Sequence, residues 1–254
     1  MIVNRMDYRM VDENRGYGVG FQILNNACFD PEEINFVLSL LSLRRKHFRD
    51  GVIALDCGAN IGAHTIEWAR HMHGWGNVLA FEPQERIFYA LAGNIAINNC
   101  LNANARWVAL GDDNITIRIP APNHLLPSSF GSLEIKQRAN TEFIGQAISY
   151  DGPKMVPVTQ ITIDSLDLPR VDLMKIDVEG MELEVLAGAQ ATLDRCKPLL
   201  TVEFIKTDRK VLEGLLRGRG YSVFPIGINL LAVHEHDPIL RHISIEGSNL
   251  NLRM

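Results

Sequence analysis

An apolar run that ends in a glycine-containing loop constrains this chain more than any other feature. Val52–Leu55 predicts a buried strand, and His64–Met72 has the spacing of an amphipathic helix. The loop between them is Asp56-Cys57-Gly58-Ala59-Asn60-Ile61-Gly62. A strand, a glycine-rich turn and a helix form the unit that binds nucleotide-type cofactors. Gly58 and Gly62 permit a sharp turn or the close approach of a ligand to bare backbone, and we expect Asp56 to reach a polar group of that ligand.

The loop lacks the spacing of the dinucleotide-binding fingerprint G-x-G-x-x-G. Asn60 occupies the position of the second glycine, and no third glycine follows at the required distance. An NAD-dependent enzyme is therefore disfavoured. The sequence Gly58-Ala59-Asn60-Ile61-Gly62 is instead similar to the glycine loop of S-adenosylmethionine (SAM) methyltransferases.

Whole-chain properties favour one α/β domain with additions. The chain has 254 residues, of which 46% are hydrophobic and 22% charged. A net charge of −5 and the lack of a basic run argue against a nucleic-acid partner. The four cysteines contain no C-x-x-C pair, which predicts free thiols in a reducing compartment. No apolar stretch reaches the roughly 20 residues of a membrane span, and the N-terminus lacks a signal-peptide core. We therefore expect a cytoplasmic protein without a membrane span.

The pattern divides the chain into three parts. Residues 1–50 form an N-terminal extension with a candidate strand at Gly18–Leu24 and a helix at Pro31–Phe48, for which Asp30 is the predicted N-cap. Residues 51–235 form the main domain, with an insertion at about 112–160, and residues 236–254 form a polar tail or a final edge element.

Strands and helices alternate through the main domain. The predicted strands are 52–57, 77–81, 105–110, 171–178, 199–204, 221–225 and 229–234, and the predicted helices are 64–72, 84–98, 181–193 and 208–217. The insertion contributes two further β-like runs, 115–119 and 155–163. The last two strands of the main series are joined like a hairpin. This pattern predicts a mostly parallel, seven-stranded Rossmann-like sheet with an antiparallel hairpin at its C-terminal edge.

Glu82 follows the second strand of the main domain within the motif Phe81-Glu82-Pro83. It stands 24 positions after Gly58, where an acid can accept both ribose hydroxyls of an adenosine. Alternatively, Glu82 caps the helix that begins near Gln84. Its pairing with the glycine loop favours the ribose role.

A third motif places charges at the end of another strand. Strand periodicity puts Lys175, Asp177 and Glu179 on one side of the segment 171–178 and its extension. Such charges require partners or exposure at the strand end, where open α/β sheets bind their ligands. The alternative is a structural ion pair of Lys175 with an acid, with Glu179 closing the turn at Gly180.

These motifs together resemble one family of enzymes. LDCGANIG, FEP, KIDVEGMELEVLAGA and the later segment Thr201–Phe204 resemble the FkbM family of SAM-dependent methyltransferases, over about residues 52–224. The resemblance implies a class I methyltransferase fold, SAM as the methyl donor, and O-methylation of a hydroxyl on a sugar, glycolipid or natural product.

The resemblance also assigns candidate site residues by position. The candidate cofactor-binding residues are Asp56, Gly58, Ala59, Asn60, Gly62, Glu82 and Pro83. Asp177 and Glu179 match the acidic motif near the methyl group, and Asp177 is the first candidate for the base that activates the hydroxyl. Further base candidates are Glu203, His64 and His124, whereas Asn98 and Gly131-Ser132 are candidates to line the cleft. No metal ligand is assigned, although such acids hold a divalent cation in some O-methyltransferases. A non-catalytic module that scaffolds a biosynthetic partner is the alternative function.

Overall fold

The computed structural model describes residues 1–13, 15–246 and 249–253 of the chain. The N-terminal part contains β1 (Arg9–Met10), β2 (Gly16–Tyr17), α1 (Val19–Asn26) and α2 (Pro31–Phe48). It is followed by β3 (Val52–Cys57), α3 (Ala63–His71), β4 (Gly76–Phe81), α4 (Glu85–Ile97) and β5 (Ala103–Arg106). A small sheet then uses β6 (Ala109–Leu110), β7 (Ile115–Pro120) and β8 (Met155–Ile161).

The rest of the chain completes the main sheet and adds a hairpin. Its elements are β9 (Leu173–Ile176), α5 (Glu182–Ala187), α6 (Gln190–Cys196), β10 (Leu199–Glu203), α7 (Arg209–Gly218), β11 (Tyr221–Ile226) and β12 (Asn229–His234). The hairpin consists of β13 (Ile243–Glu246) and β14 (Asn249–Leu252). None of the helices in the described part of the chain is long and apolar enough to cross a bilayer.

A seven-stranded mixed sheet organises the fold, as the sequence predicts. Its order is β11-β12-β10-β9-β3-β4-β5, with parallel pairing from β10 to β5 and antiparallel pairing of β12 with both β10 and β11. Apolar clusters cover both faces of the sheet. The chain runs outward from β3 to β5 and then returns to the other side of β3 with β9. Ligands bind at such a switch point, at the carboxyl ends of the strands.

The N-terminal extension contains one error of prediction. The segment Gly18–Leu24 was expected to be a strand, but α1 occupies Val19–Asn26. Its β-forming residues fit a helix because Val19 and Ile23, one helical turn apart, pack together into the cluster around Phe130. The Asp7 carboxylate fixes this packing by accepting hydrogen bonds from the N–H groups of Gly20 and Phe130. Tertiary contacts therefore override the local β propensity.

Two elements predicted as continuous are divided in the structure. The expected strand 105–110 is split, because β5 belongs to the main sheet and β6 to the small sheet of order β6-β8-β7. The expected helix 181–193 is interrupted at Gly188-Ala189. A Cβ on Gly188 would lie 2.0 Å from the carbonyl oxygen of Gly111, so only glycine fits at this interruption, where the chain touches the residue before the insertion. The Asp164 carboxylate then caps α6 by accepting from the N–H groups of Ala191 and Thr192.

Other boundaries agree with the sequence patterns. The helix α2 spans the predicted residues, and the Asp30 carboxylate accepts from the N–H of Glu33 at 3.3 Å. The two β-like runs of the insertion are confirmed as β7 and β8, and the segment between them is mostly irregular. The C-terminal part forms a hairpin that packs Ile243 and Leu252 against the core. The three-part division of the chain itself stays a prediction.

A buried charge cluster fastens α2 to the sheet. Arg44 is 4% exposed and pairs with two buried acids, Asp172 at 3.1 Å and Asp237. Asp172 directly precedes β9 and also accepts from the N–H of Ile53 at 2.9 Å. This cluster therefore ties α2, both central strands and the C-terminal part together.

Replacement of Arg44 should destabilise the fold strongly. We expect Arg44→Met to lower the free energy of unfolding by about 3–5 kcal/mol, because the buried carboxylate of Asp237 loses its cationic partner and that of Asp172 keeps Arg170 but loses Arg44. Urea unfolding followed by circular dichroism measures this loss. Arg45→Met on the same helix is the control: Arg45 and its partner Asp50 are exposed, so its loss should be about 1 kcal/mol or less. Equal losses in the two variants would show that the buried cluster has no special role.

Candidate active site

A cavity of about 280 Å³ opens at the carboxyl ends of the central strands. Of the candidate residues, it is lined by Gly58, Ala59, Asn60, Glu82, Pro83, Asp177 and Glu179. These residues follow β3, β4 and β9, three neighbouring strands of the sheet. The structure therefore brings both groups of predicted site residues to one cavity.

The loop after β3 is pressed against the turn after β9. Gly58 has a φ of +85°, and a Cβ on it would lie 1.8 Å from the main-chain oxygen of Asp177. The N–H of Asp177 donates to the carbonyl of Cys57 at 3.0 Å, and the N–H groups of Gly58 and Ala59 donate to Phe81. Only glycine fits this position, because both its φ and its contact exclude a side chain.

Asp56 and Gly62 lie outside the lining of the cavity. Asp56 is 1% exposed and accepts from the hydroxyl of Thr65 at 2.6 Å, which fastens β3 to the first turn of α3. Burial raises the pKa of its carboxyl group. Gly62 begins α3 with a φ of +90°, and a Cβ there would meet Leu91 at 2.7 Å. Both residues therefore support the conformation of the loop without lining the cavity.

Glu82 is buried at the end of β4 and faces the cavity. Its Oε2 accepts from the N–H of Asn60 at 3.1 Å and its Oε1 from the N–H of Gln84 at 2.8 Å. The second bond is the contact that the capping alternative anticipates, but the first joins Glu82 to the glycine loop. Burial raises the pKa of Glu82 to about 8, against the opposing effect of these two bonds. Each oxygen keeps a lone pair for a ligand hydroxyl.

The turn after β9 is held by ion pairs and by a buried acid. Lys175 is 4% exposed and its ammonium lies 2.7 Å from Oδ2 of Asp177, as the structural alternative anticipates. Glu179 has a φ of +54°, which is unfavourable for a residue with a side chain. The buried Glu182 stabilises this turn, because its Oε1 accepts from the N–H groups of Val178 and Gly180.

A third carboxylate joins Asp177 and Glu179 from the next strand. Glu203 ends β10, lines the cavity and is 7% exposed. One oxygen from each of the three carboxylates lies within 4.8 Å of the others. Burial and the neighbouring carboxylates raise the pKa values of Glu179 and Glu203. This wall of the cavity is therefore strongly acidic.

Lys206 is the chief residue that the sequence analysis missed. Its ammonium lies 2.5 Å from Glu179 and 3.1 Å from Glu142, and it donates to the main-chain oxygen of Ser132 at 2.9 Å. It thereby connects the acidic wall to the insertion. Lys206 follows closely on the quoted segment Thr201–Phe204, but no local pattern marks a lone lysine in a loop as buried.

The other histidine and loop candidates divide between cavity and core. His64 lines the cavity and is 5% exposed, with its Nε2 3.7 Å from Oε1 of Glu33. Burial lowers the pKa of His64 well below its usual value, so its ring is neutral. Gly131 and Ser132 line the cavity, whereas His124 packs against Phe130 and lies outside the lining, as does Asn98.

Part of the cavity lining is apolar. It comes from the N-terminal segment, the insertion and the C-terminal hairpin of the sheet, which contribute Tyr17, Val19, Phe29, Leu133, Ile135 and Ile228. The sequence analysis did not identify these residues. They come from three distant segments, and the first of them was assigned to the wrong secondary structure.

The fold and the site define the class of this protein. A seven-stranded mixed sheet with its antiparallel C-terminal hairpin, and a glycine loop and an acid at neighbouring strand ends, are those of the Rossmann-like methyltransferases. The model of the family described as "Methyltransferase FkbM domain" matches residues 56–223. The chain belongs to this family and is a methyltransferase.

Two curated relatives and one solved structure agree with this assignment. The chain is similar to Methyltransferase sdnD of Sordaria araneosa, with 26% identity over 242 residues that cover 87% of each chain. It is also 26% identical over 187 residues to Methyltransferase 1 of Beauveria bassiana, covering 69% of this chain and 74% of that one. The crystal structure of Methyltransferase FkbM from Methylobacillus flagellatus has a TM-score of 0.51 and 19% identity. That match covers 78% of this chain but only 48% of the solved one, and it supports the fold alone.

Gly58→Ala should destabilise the protein far more than a matched glycine replacement. We expect a loss of at least about 3 kcal/mol in unfolding free energy, because the methyl group collides with main chain that cannot move aside. Gly74→Ala is the control, since Gly74 has a similar φ of +78° but a Cβ added to it would meet nothing within 4 Å. It should cost only about 1–2 kcal/mol. Urea denaturation of both variants measures the difference, and losses of similar size would refute the proposed contact.

Proposed function

We propose that this methyltransferase uses SAM to methylate a hydroxyl group of a small-molecule acceptor, such as a sugar, a glycolipid or a natural product. The observation that carries the proposal is one cavity that joins the glycine loop, Glu82 and the acids Asp177 and Glu179. The names of the curated relatives specify a methyltransferase and no acceptor.

In this proposal the cofactor lies along the loop after β3. Glu82 accepts hydrogen bonds from both ribose hydroxyls, and Gly58, Ala59, Asn60 and Pro83 line its binding site. Asp56 and Gly62 keep the loop in shape from behind. The acidic wall formed by Asp177, Glu179 and Glu203 suits the positive sulfonium group of SAM, since preorganised charges interact strongly in a partly buried site.

The reaction is an in-line displacement that these residues position. The acceptor oxygen forms a bond to the methyl carbon as the carbon–sulfur bond breaks, and the electrons of that bond neutralise the sulfonium. The hydroxyl proton passes to a carboxylate, for which Asp177 is the first candidate because its side chain remains partly exposed to the cavity. Glu179 accepts a further hydrogen bond from the acceptor. Positioning supplies much of the rate in such a transfer.

The apolar part of the lining favours an acceptor with an apolar body. Val19, Phe29, Leu133 and Ile228 present hydrocarbon to the cavity, whereas the hydroxyl must face the acids. Contact of an apolar body with this part of the lining removes both from water and contributes to binding. The negative charge of the chain and of the cavity disfavours a nucleic-acid acceptor.

The proposed role of Glu82 predicts pH-dependent cofactor binding. The ribose hydroxyls donate to the ionised carboxylate, whereas the pKa of the free group is raised to about 8. The affinity for S-adenosylhomocysteine (SAH) should therefore rise from pH 6 through pH 8 and level off about one pH unit above the pKa. Glu82→Gln should bind about 10- to 100-fold more weakly above pH 8, and the difference should shrink toward pH 6.

Isothermal titration of the unmodified protein and of Glu82→Gln with SAH measures this dependence. Protonation of SAH itself affects both proteins equally and leaves their difference unchanged. Glu85→Gln, at a half-buried position in the first turn of α4 and outside the cavity lining, is the matched control and should behave like the unmodified protein. If the difference in SAH affinity between the unmodified protein and Glu82→Gln is the same at every pH, Glu82 acts without a change of protonation.

The function itself is tested by separating cofactor binding from methyl transfer. The protein is incubated with tritiated-methyl SAM and with host glycan and small-molecule extracts, and the labelled product is identified. Asp177→Asn should lower the transfer rate by about 100- to 10,000-fold while it binds SAH within about threefold of the unmodified protein. Asp194→Asn, which replaces an exposed acid paired with Arg219, should keep full activity.

Failure of the unmodified protein to bind SAH would overturn the proposal. Binding of SAH without transfer to any extract would instead favour the scaffolding module. Alkali-stable label in the product supports a methyl ether, whereas release of the label by mild base indicates a methyl ester and contradicts transfer to a hydroxyl.

A further inference from the structure

The acidic wall of the cavity has the donor set of a cation site. It combines Asp177 and Glu179, from the turn after β9, with Glu203 at the end of β10, and one oxygen of each lies within 4.8 Å of the others. Only Glu203 lies on a strand, but the turn that carries Asp177 and Glu179 follows the parallel neighbour strand β9 and is fixed by Glu182, which accepts from the N–H groups of Val178 and Gly180. Carboxylate oxygens without sulfur or imidazole ligands select hard divalent cations such as Mg²⁺ or Mn²⁺.

Glu203 gives an independent reason to expect a positive ligand. Only 7% of its surface is exposed, and it faces the cavity. Its Oε2 has no hydrogen-bond partner among the described residues. Burial of a carboxylate without a partner is costly, and the turn and strand around it supply no donor. A bound cation would satisfy this oxygen.

The lysines of the site do not remove this need. Lys175, which also lines the cavity, lies 2.7 Å from Asp177, and Lys206, from the loop after β10, lies 2.5 Å from Glu179. Each is shared with further acids, since Lys206 also pairs with Glu142 and Lys175 lies near Asp56 and Glu33. The two ammonium groups are thus outnumbered by carboxylates, and Glu203 is paired with neither of them.

We infer that Asp177, Glu179 and Glu203 bind one divalent cation at the cavity wall, with water or the acceptor hydroxyl completing its coordination. The binding site stands on the geometry alone, whereas its role rests on the proposed function. There the cation would bind the acceptor oxygen and make its proton easier to remove. Asp177 would then act mainly as a ligand, and the bonds made and broken in methyl transfer would be unchanged.

Binding of Mn²⁺ to the full chain tests the site without an activity assay. After treatment with EDTA and removal of the chelator, the protein is titrated with Mn²⁺ alone, and free Mn²⁺ is followed by its electron paramagnetic resonance signal. We expect one bound Mn²⁺ per chain, displaced by excess Mg²⁺. Glu203→Gln and Asp177→Asn should each weaken binding at least about tenfold.

Glu235→Gln is the control because Glu235 is an exposed acid just beyond β12 and outside the cavity. It should bind Mn²⁺ like the unmodified protein. Circular dichroism and SAH titration show whether each variant keeps its fold and cofactor site. The inference is overturned if no Mn²⁺ binds at millimolar concentration, or if binding is equal in Glu203→Gln, Asp177→Asn and the control.

The outcomes also separate this inference from the proposed function. If methyl transfer persists in EDTA, SAH binds and no Mn²⁺ site is found, the cation site is refuted and the proposed function stands. If Mn²⁺ binding depends on Glu203 but the unmodified protein fails to bind SAH, the cation site is supported and the proposed function is refuted.

Discussion

The contact between Gly58 and the main chain of Asp177 is the constraint on which the site depends. It exists because Gly58 has no Cβ, which would otherwise lie 1.8 Å from the Asp177 carbonyl. The loop after β3 therefore touches the turn after β9, and the N–H of Asp177 can donate to Cys57. Through Asn60 the same loop also reaches Glu82. One glycine thus brings the proposed cofactor side and the acidic side of the cavity into a single wall.

The charges of this wall require support from the rest of the fold. Lys175 lies next to these acids and is nearly completely buried. Its buried charge is tolerated because Asp177 pairs with it directly and further carboxylates lie nearby. Glu182 holds the backbone of the turn so that Asp177 and Glu179 face the cavity. Burial and the neighbouring carboxylates outweigh the nearby lysines, so the pKa values of Glu179 and Glu203 stay above their usual values. The site is therefore preorganised to receive positive charge, which is the property that both a sulfonium and a divalent cation require.

The sequence predicts those features that rest on local patterns. The bounds of β3 and α2 follow from a short apolar run and from a capped, amphipathic segment, and the seven-stranded sheet follows from their alternation. The Gly58 loop and Glu82 could be found because they stand at strand ends. The helix at Val19–Asn26 could not, because Asp7 and Phe130, both distant in sequence, decide its conformation. The close approach of Gly188 to Gly111 likewise joins residues far apart in sequence.

The apolar part of the cavity lining escaped prediction for the same reason, and this has a consequence for the proposed specificity. Its apolar residues come from the N-terminal extension, the insertion and the hairpin of the sheet, which lie apart in sequence. Lys206 joins the insertion to the acids, since it contacts Glu179 as well as Ser132 and Glu142 of the insertion. A change in the insertion that moves Glu142 would alter how strongly Lys206 neutralises Glu179. The shape of the proposed acceptor pocket and the charge of the acidic wall are therefore coupled through one side chain.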